Sequence, residues 1–195
     1  MTLIPTTTAR VIFFAVFIVW LAFTFLIERI IVGNEGRGKA RRREDRGSGL
    51  LIYLGVLVSL IVAFEFAGAG ITPLPDWVFI VGIFLMLLGI FVREWAVITL
   101  RRYFSFRVSV REDQKVIESG PYRFVRHPAY SGSILTMVGV GLAVQSWAAV
   151  LVLLALCGIA YGYRIHVEET ALLKELGEEY SKYMSRTKKL IPFIF

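Results

Sequence analysis

The chain has a single cysteine, Cys157, so a disulfide framework is excluded, and its place inside an apolar run makes that thiol packing material. Histidine is almost as scarce. With only His127 and His166 beside the cysteine, the residues for a zinc cluster are lacking, and no metal site is expected. No linker rich in Pro, Gly and Ser interrupts the sequence, and there is no internal repeat or low-complexity tract, which leaves one folding unit over residues 1–195. Charge is thin, at 19% against 56% hydrophobic residues, and the mean hydropathy is +0.67. A composition this apolar specifies a membrane protein rather than a soluble domain. The net charge of +7 does not point to nucleic acid, because the basic residues gather in short loops between apolar spans, where they set orientation and meet anionic headgroups.

Five apolar stretches are predicted to cross the bilayer as helices, over 11–32, 50–67, 77–92, 130–144 and 147–163. The first is followed by Glu28 and Arg29 instead of a small-residue cleavage site, so it is expected to be a retained helix and not a secretory signal. The last two are short, which predicts a hairpin that is tilted or shielded by its neighbours. Residues 33–49 carry Arg37, Lys39, Arg41, Arg42, Arg43 and Arg46 and read as a cytoplasmic loop. The turn after the second span, Gly68-Ala69-Gly70 followed by Pro73 and Pro75, lacks Lys and Arg and belongs outside. Near the end of the third span, Arg93 and Glu94 must either pair, face a wet cavity or snorkel to the interface. The polar stretch 106–126 holds two brief extended candidates, Val108-Ser109-Val110 and Lys115-Val116-Ile117. After Arg164, the apolar residues Val167, Ala171, Leu172, Leu176, Tyr180 and Tyr183 recur at helical spacing between charges, which predicts an amphipathic helix along the interface or over a site. The expected fold is all-α, a polytopic membrane bundle of five transmembrane helices with a C-terminal amphipathic helix. The inner loops, the motif below and that last helix all fall on the cytoplasmic side.

The densest polar stretch is Gly120-Pro121-Tyr122-Arg123-Phe124-Val125-Arg126-His127-Pro128-Ala129-Tyr130-Ser131-Gly132, with Glu168-Glu169 about one crossing downstream. A lipid-embedded chain does not need such a cluster to fold. His127 precedes a proline and is pushed out of the helical region, while Pro128 suits the first turn of a helix. The free amides at that helix start would favour an anionic group, with Arg126 adding a fixed charge and His127 a tunable donor. Tyr122 and Tyr130 offer aromatic faces to a purine or a sulfonium cation, and Glu168-Glu169 could hold an ammonium. Cationic groups on one side and carboxylates on the other match a zwitterion such as an amino acid.

These residues, together with Arg164, Leu176-Gly177-Glu178-Glu179-Tyr180-Ser181-Lys182-Tyr183, Ile191-Pro192 and, upstream, Arg93-Glu94-Trp95-Ala96 and Arg102-Tyr103-Phe104, resemble the isoprenylcysteine carboxyl methyltransferase family. The resemblance runs from about Arg93 to Pro192 and implies an integral membrane enzyme that uses S-adenosyl-L-methionine. By position, the family's cofactor contacts would fall on Gln114, Lys115, Val116 and Ile117, on Tyr122, on His127, Pro128, Ala129 and Tyr130, and on Glu168. The family's substrate-contacting arginine would fall on Arg164, the expected catalytic residue. Residues 76–195 would then form the catalytic core, with 1–70 adding two N-terminal spans. The eukaryotic members carry a longer acidic run where this chain has His166-Val167-Glu168-Glu169, and they often carry additional spans.

The implied reaction is in-line methyl transfer from the sulfonium to the C-terminal carboxylate of a prenylcysteine-like substrate. That carboxylate, with a pKa of about 3.5, arrives ionised and needs a cation to align it rather than a base. Arg164 can do so in bidentate fashion. The alternative, a phospholipid N-methyltransferase, would require a base for a protonated amine, with Glu169 or His127 as candidates. A sterol-type reductase with a nicotinamide cofactor and a non-catalytic scaffold for anionic lipid are more distant readings. The lipid or lipid-modified substrate is expected to enter from the bilayer near the third and fourth spans, and the cofactor from the cytoplasm.

Overall fold

Once water is removed, an apolar run can satisfy its backbone only within itself, and the long runs of this chain do so as helices. The structure is a computed structural model that describes residues 6–27, 40–43, 45, 47–104, 109–111 and 113–192. Helix α1, Thr7–Ala22, is capped by Thr6, whose hydroxyl accepts from the Ala9 amide at 3.1 Å, and it runs on into a π-turn over Phe23–Ile27. Helix α2 is Ser48–Gly68, α3 is Val78–Leu100, α4 is Pro128–Ala143, α5 is Trp147–Leu176 and α6 is Glu178–Arg186. Two short strands, β1 (Ala40–Arg43) and β2 (Ser109–Arg111), pair antiparallel with Arg43 opposite Ser109.

Among the described residues, α2, α3 and α5 are long and apolar enough to cross a membrane, while α1 and α4 have 16 residues each and are shorter. The end of the expected first span, 28–32, lies outside the described residues, as do most of the basic loop and Phe106 and Val108. Exposed apolar side chains such as Ile61 on α2, Phe84 on α3 and Leu151 on α5 face outward, where a bilayer would cover them. The helical bundle is as expected, and of the two brief extended candidates Ser109 and Val110 form a strand, whereas 115–117 have no regular structure. One expectation is corrected: the C-terminal amphipathic stretch is not one separate helix. Val167, Ala171, Leu172 and Leu176 continue α5, because Arg164 to Glu175 contains no helix breaker, and Gly177 with φ 53° ends it before α6.

The tightest contact is the seam between α3 and α4. A Cβ on Gly132 would stand 2.6 Å from the Arg93 amide nitrogen, and one on Gly139 would stand 2.6 Å from that of Met86. Gly82 and Gly89 answer from α3 at the same seven-residue spacing, so backbone lies directly on backbone. This closeness puts Arg93 beside α4. Its Nη1 donates to Ser133 Oγ at 3.0 Å, so Arg93 does not snorkel outward. On the opposite side α2 runs along α5, with Ser59 Oγ 3.8 Å from Cys157 Sγ. The α2–α3 and α4–α5 turns are joined to each other: Ser146 caps α5 and its hydroxyl donates to the Ile71 carbonyl at 2.8 Å.

Candidate active site

The motif lies where the C-terminal end of α3, the N-terminal end of α4 and the later turns of α5 come together. Pro121 and Tyr122 sit buried in a 3₁₀ turn over Gly120–Arg123, and Pro128 opens α4 as the sequence predicts. What holds the motif is the end of the chain. The Arg126 amide donates to the Lys188 carbonyl at 2.8 Å, the His127 amide donates to Lys189 at 3.0 Å, and Ser131 Oγ donates to Leu190 at 2.6 Å. Tyr183 OH donates to the Tyr122 carbonyl at 2.6 Å, and Arg126 Nη1 donates to the carbonyls of Met184 and Thr187. At the start of α4 the Tyr130 and Ser131 amides turn back to the His127 carbonyl. That corrects the expectation of a row of free amides aimed at an anion.

The adjacent glutamates have different surroundings. Glu169 is buried and takes Arg126 Nε at 2.8 Å and lies 3.2 Å from His127 Nε2, so it ties the motif to α5. Glu168 accepts from Tyr130 OH at 2.6 Å, and that oxygen in turn accepts from Arg164 Nε at 3.0 Å. Arg164 Nη1 donates to Asp45 Oδ1 at 2.5 Å and to Ser48 Oγ at 2.9 Å. A chain of polar groups thus runs from α2 through α5 and α4 and back to α5. Burial raises the Tyr122 hydroxyl far above the ordinary tyrosine range, and Glu168 nearby adds to that rise. Burial does the same for Tyr180 and Tyr183. All three stay protonated, as donors, at any physiological pH.

Two cavities meet here. The polar one, about 90 Å³, is lined by Gln114, Lys115, Val116 and Ile117, by Tyr122, His127 and Ala129, and by Tyr130, Arg164 and Glu168. Every residue expected from the sequence is therefore brought together except Pro128, which is fully buried behind the wall; Lys115 is largely exposed. Sequence reasoning left out Leu100, Tyr103 and Phe104 on one side and Leu172, Leu176, Tyr180 and Tyr183 on the other as lining residues. The last four were legible as the apolar face of the expected amphipathic helix, though not as cavity wall. The second cavity is apolar and larger, about 420 Å³, between α1 and α2 on one side and α4 and α5 on the other. Trp20, Ile52, Val56 and Leu60 line it, with Arg93 and Ser133 deeper in. Phe104, Tyr130 and Arg164 belong to both cavities and form the wall between them.

Fold and site together define a helical membrane protein in which a smaller polar cavity and a larger apolar one share a wall. Residues 80–174, just under half of the chain, match the model of the isoprenylcysteine carboxyl methyltransferase (ICMT) family. The chain is 28% identical over 120 residues to protein-S-isoprenylcysteine O-methyltransferase B of Arabidopsis thaliana, covering 60% of this chain and 61% of that protein. It is also 28% identical over 151 residues to a cobalt-zinc-cadmium resistance protein of Cupriavidus metallidurans, covering 77% of this chain and 64% of that one. The chain thus spans about three fifths of the length of these relatives. The solved structure of a eukaryotic intramembrane Ras methyltransferase, also an isoprenylcysteine carboxyl methyltransferase, superposes with a TM-score of 0.61 at 23% identity, over 73% of this chain and 52% of that one. This last likeness concerns the fold alone.

Proposed function

We propose that the chain methylates the C-terminal carboxylate of a prenylcysteine-like membrane substrate, with S-adenosyl-L-methionine as methyl donor. The observation that carries this reading is the shared wall: Tyr130 and Arg164 face the polar cavity and the apolar one at once. A soluble donor and a lipid-borne acceptor can therefore meet across two side chains.

The residues of the polar cavity suit the donor in kind. Tyr122 and Tyr130 present aromatic faces to a purine or a sulfonium, and the Glu168 carboxylate suits an ammonium group. The cavity is narrower than the whole cofactor, so binding must widen it, and 114–117 form a continuous stretch of wall that lies in no helix or strand. When bound, S-adenosyl-L-methionine supplies an electrophilic methyl group on a positively charged sulfur. Arg164 aligns the acceptor carboxylate, Tyr130 fixes the guanidinium through Nε, and Glu168 fixes Tyr130. The apolar cavity takes the prenyl chain, which approaches from the α1–α2 side. Among the described residues the α3–α4 seam itself leaves no room for it, though Arg93, Tyr130 and Ser133 of those helices line the cavity. The site opens toward the cytoplasm with the basic loops. Phospholipid N-methylation is not favoured by the relatives found.

The test is methyl transfer from labelled S-adenosyl-L-methionine by the purified protein, offered N-acetyl-S-farnesylcysteine and phosphatidylethanolamine in parallel. Base-labile ester on the former is expected, and label on the amine alone overturns the reading. Arg164→Ala should lower kcat/KM for the acid about a hundredfold while S-adenosylhomocysteine affinity changes little, whereas Glu168→Ala should weaken that affinity.

A further inference from the structure

One residue from outside the stretch that matches the family bonds to the shared wall, and it is an acid. Asp45 stands just before α2 and binds the two groups that mark the polar end of the apolar cavity. Its Oδ1 takes Arg164 Nη1 at 2.5 Å, and its Oδ2 accepts from the Gly49 amide at 3.4 Å. Ser48, fully buried, completes the arrangement: its hydroxyl donates to Asp45 Oδ1 at 3.1 Å and accepts from Arg164 Nη1 at 2.9 Å. The Arg164 side chain is 3% exposed and that of Asp45 is 20% exposed. A guanidinium buried this deeply is strongly unfavourable without a carboxylate beside it. Asp45 provides a carboxylate in direct contact, from a position nearer to solvent, and Glu168 acts on the same guanidinium from the other side of Tyr130.

We infer that Asp45 occupies the place of the acceptor carboxylate on Arg164 and gives it up when an anionic acceptor arrives, which makes Asp45 a specificity-determining residue. The inference rests on the reading of Arg164 given above. Exchange of one carboxylate for another keeps the charge at Arg164 balanced. A neutral or cationic headgroup makes a poorer exchange, because Arg164 would give up a direct carboxylate partner for none and keep only the more indirect influence of Glu168. Methylation then removes the acceptor's own charge, and Asp45, tethered close by, retakes Arg164 and releases the ester. The same contact that admits an acid expels its product.

Asp45→Asn separates this role from support of the helix, since asparagine keeps an oxygen that can accept from the Gly49 amide or the Ser48 hydroxyl and differs from aspartate by the charge. The measurement is calorimetric titration of the cofactor-free protein in detergent with N-acetyl-S-farnesylcysteine and, separately, with its methyl ester. If Asp45 competes for Arg164, its removal lifts that competition, and the acid binds at least about threefold tighter while the ester is unaffected. An acid-to-ester affinity ratio that stays constant or falls overturns the inference and makes Asp45 an anchor of Arg164 only. Arg164→Ala in the same titration tells the two failures apart. If that variant leaves the ratio at its native value, the carboxylate is not read by Arg164, and the proposed reaction fails rather than the exchange. Hydrogen exchange in the native protein gives an answer without any variant. Acid binding should speed exchange of the amides in the first turn of α2, Gly49 among them, and ester should not; slower exchange with acid sinks the proposal.

Discussion

The two sides of α4 are built on opposite rules. Toward α3 it presents Gly132 and Gly139, and the two backbones touch with no side chain between them. Toward α1 and α2 it presents Tyr130 and Ser133, and there a cavity of about 420 Å³ separates the helices. In a bilayer, where lipid tails are as apolar as leucine, close backbone packing is one of the few ways to hold two helices in fixed register. The seam therefore fixes His127, Tyr130 and Arg93, while the open side leaves room for something the protein does not itself supply. Rigidity on one side is what lets the other side stay open without the site losing its geometry.

The comparison breaks most completely at the seam. Gly132→Val would drive a branched side chain into the Arg93 backbone, and the helices must part. A destabilisation of about 3 kcal/mol or more is expected, with loss of S-adenosylhomocysteine binding, read by thermal melting and titration in detergent. Gly158 and Gly162 on α5 are the controls. A Cβ there meets nothing within 4 Å, so alanine at either should leave both readouts near native.

A second, smaller break concerns the strap that closes the polar end. Glu169 holds Arg126 and His127, and Arg126 in turn holds the carbonyls of Met184 and Thr187. Glu169→Gln removes the charge and keeps the shape. It should cost about 2 kcal/mol, because a buried guanidinium loses its carboxylate. Limited proteolysis should then cut after Lys188 or Lys189 sooner than in the native protein. An unaltered cleavage pattern would mean that the backbone pairing of 125–127 with 188–190 is enough to hold the strap.

How much of this could be read from the residues in order differs between the two sides. The motif and its acid partners were legible because side-chain chemistry carries them: a Tyr, a His and a Glu in a lipid-embedded chain need a reason to be there. The strap was not, since Lys188, Lys189 and Leu190 contribute carbonyl oxygens that any residue would offer. The continuous α5 was missed because the change from apolar to charged residues at Arg164 marks where lipid ends, not where the helix ends. The seam lay in plain sight as glycines at seven-residue spacing on two different spans, but a reading by hydropathy counts glycine as neutral. Asp45 could not be found at all, for its meaning depends on α2 folding back onto α5, and an acid beside Glu44 among six arginines and lysines reads as charge balance.

The gentlest test sharpens the open side. Val56 lies midway along the wall of the apolar cavity, partly buried, with Ile52 a turn before it and Leu60 a turn after it. Val56→Phe adds volume to the cavity without touching the seam, the strap or the wall shared with the polar cavity. If the prenyl chain lies there, the longer geranylgeranyl acceptor should lose more than the farnesyl one, shifting their kcat/KM ratio by about five- to tenfold, since a few misplaced methylenes are worth only one or two kcal/mol. Melting temperature and S-adenosylhomocysteine affinity should hold, because neither depends on empty space. Equal losses for both chain lengths would mean that the chain lies elsewhere, and the contrast between a closed and an open side of α4 would then describe packing and not substrate access.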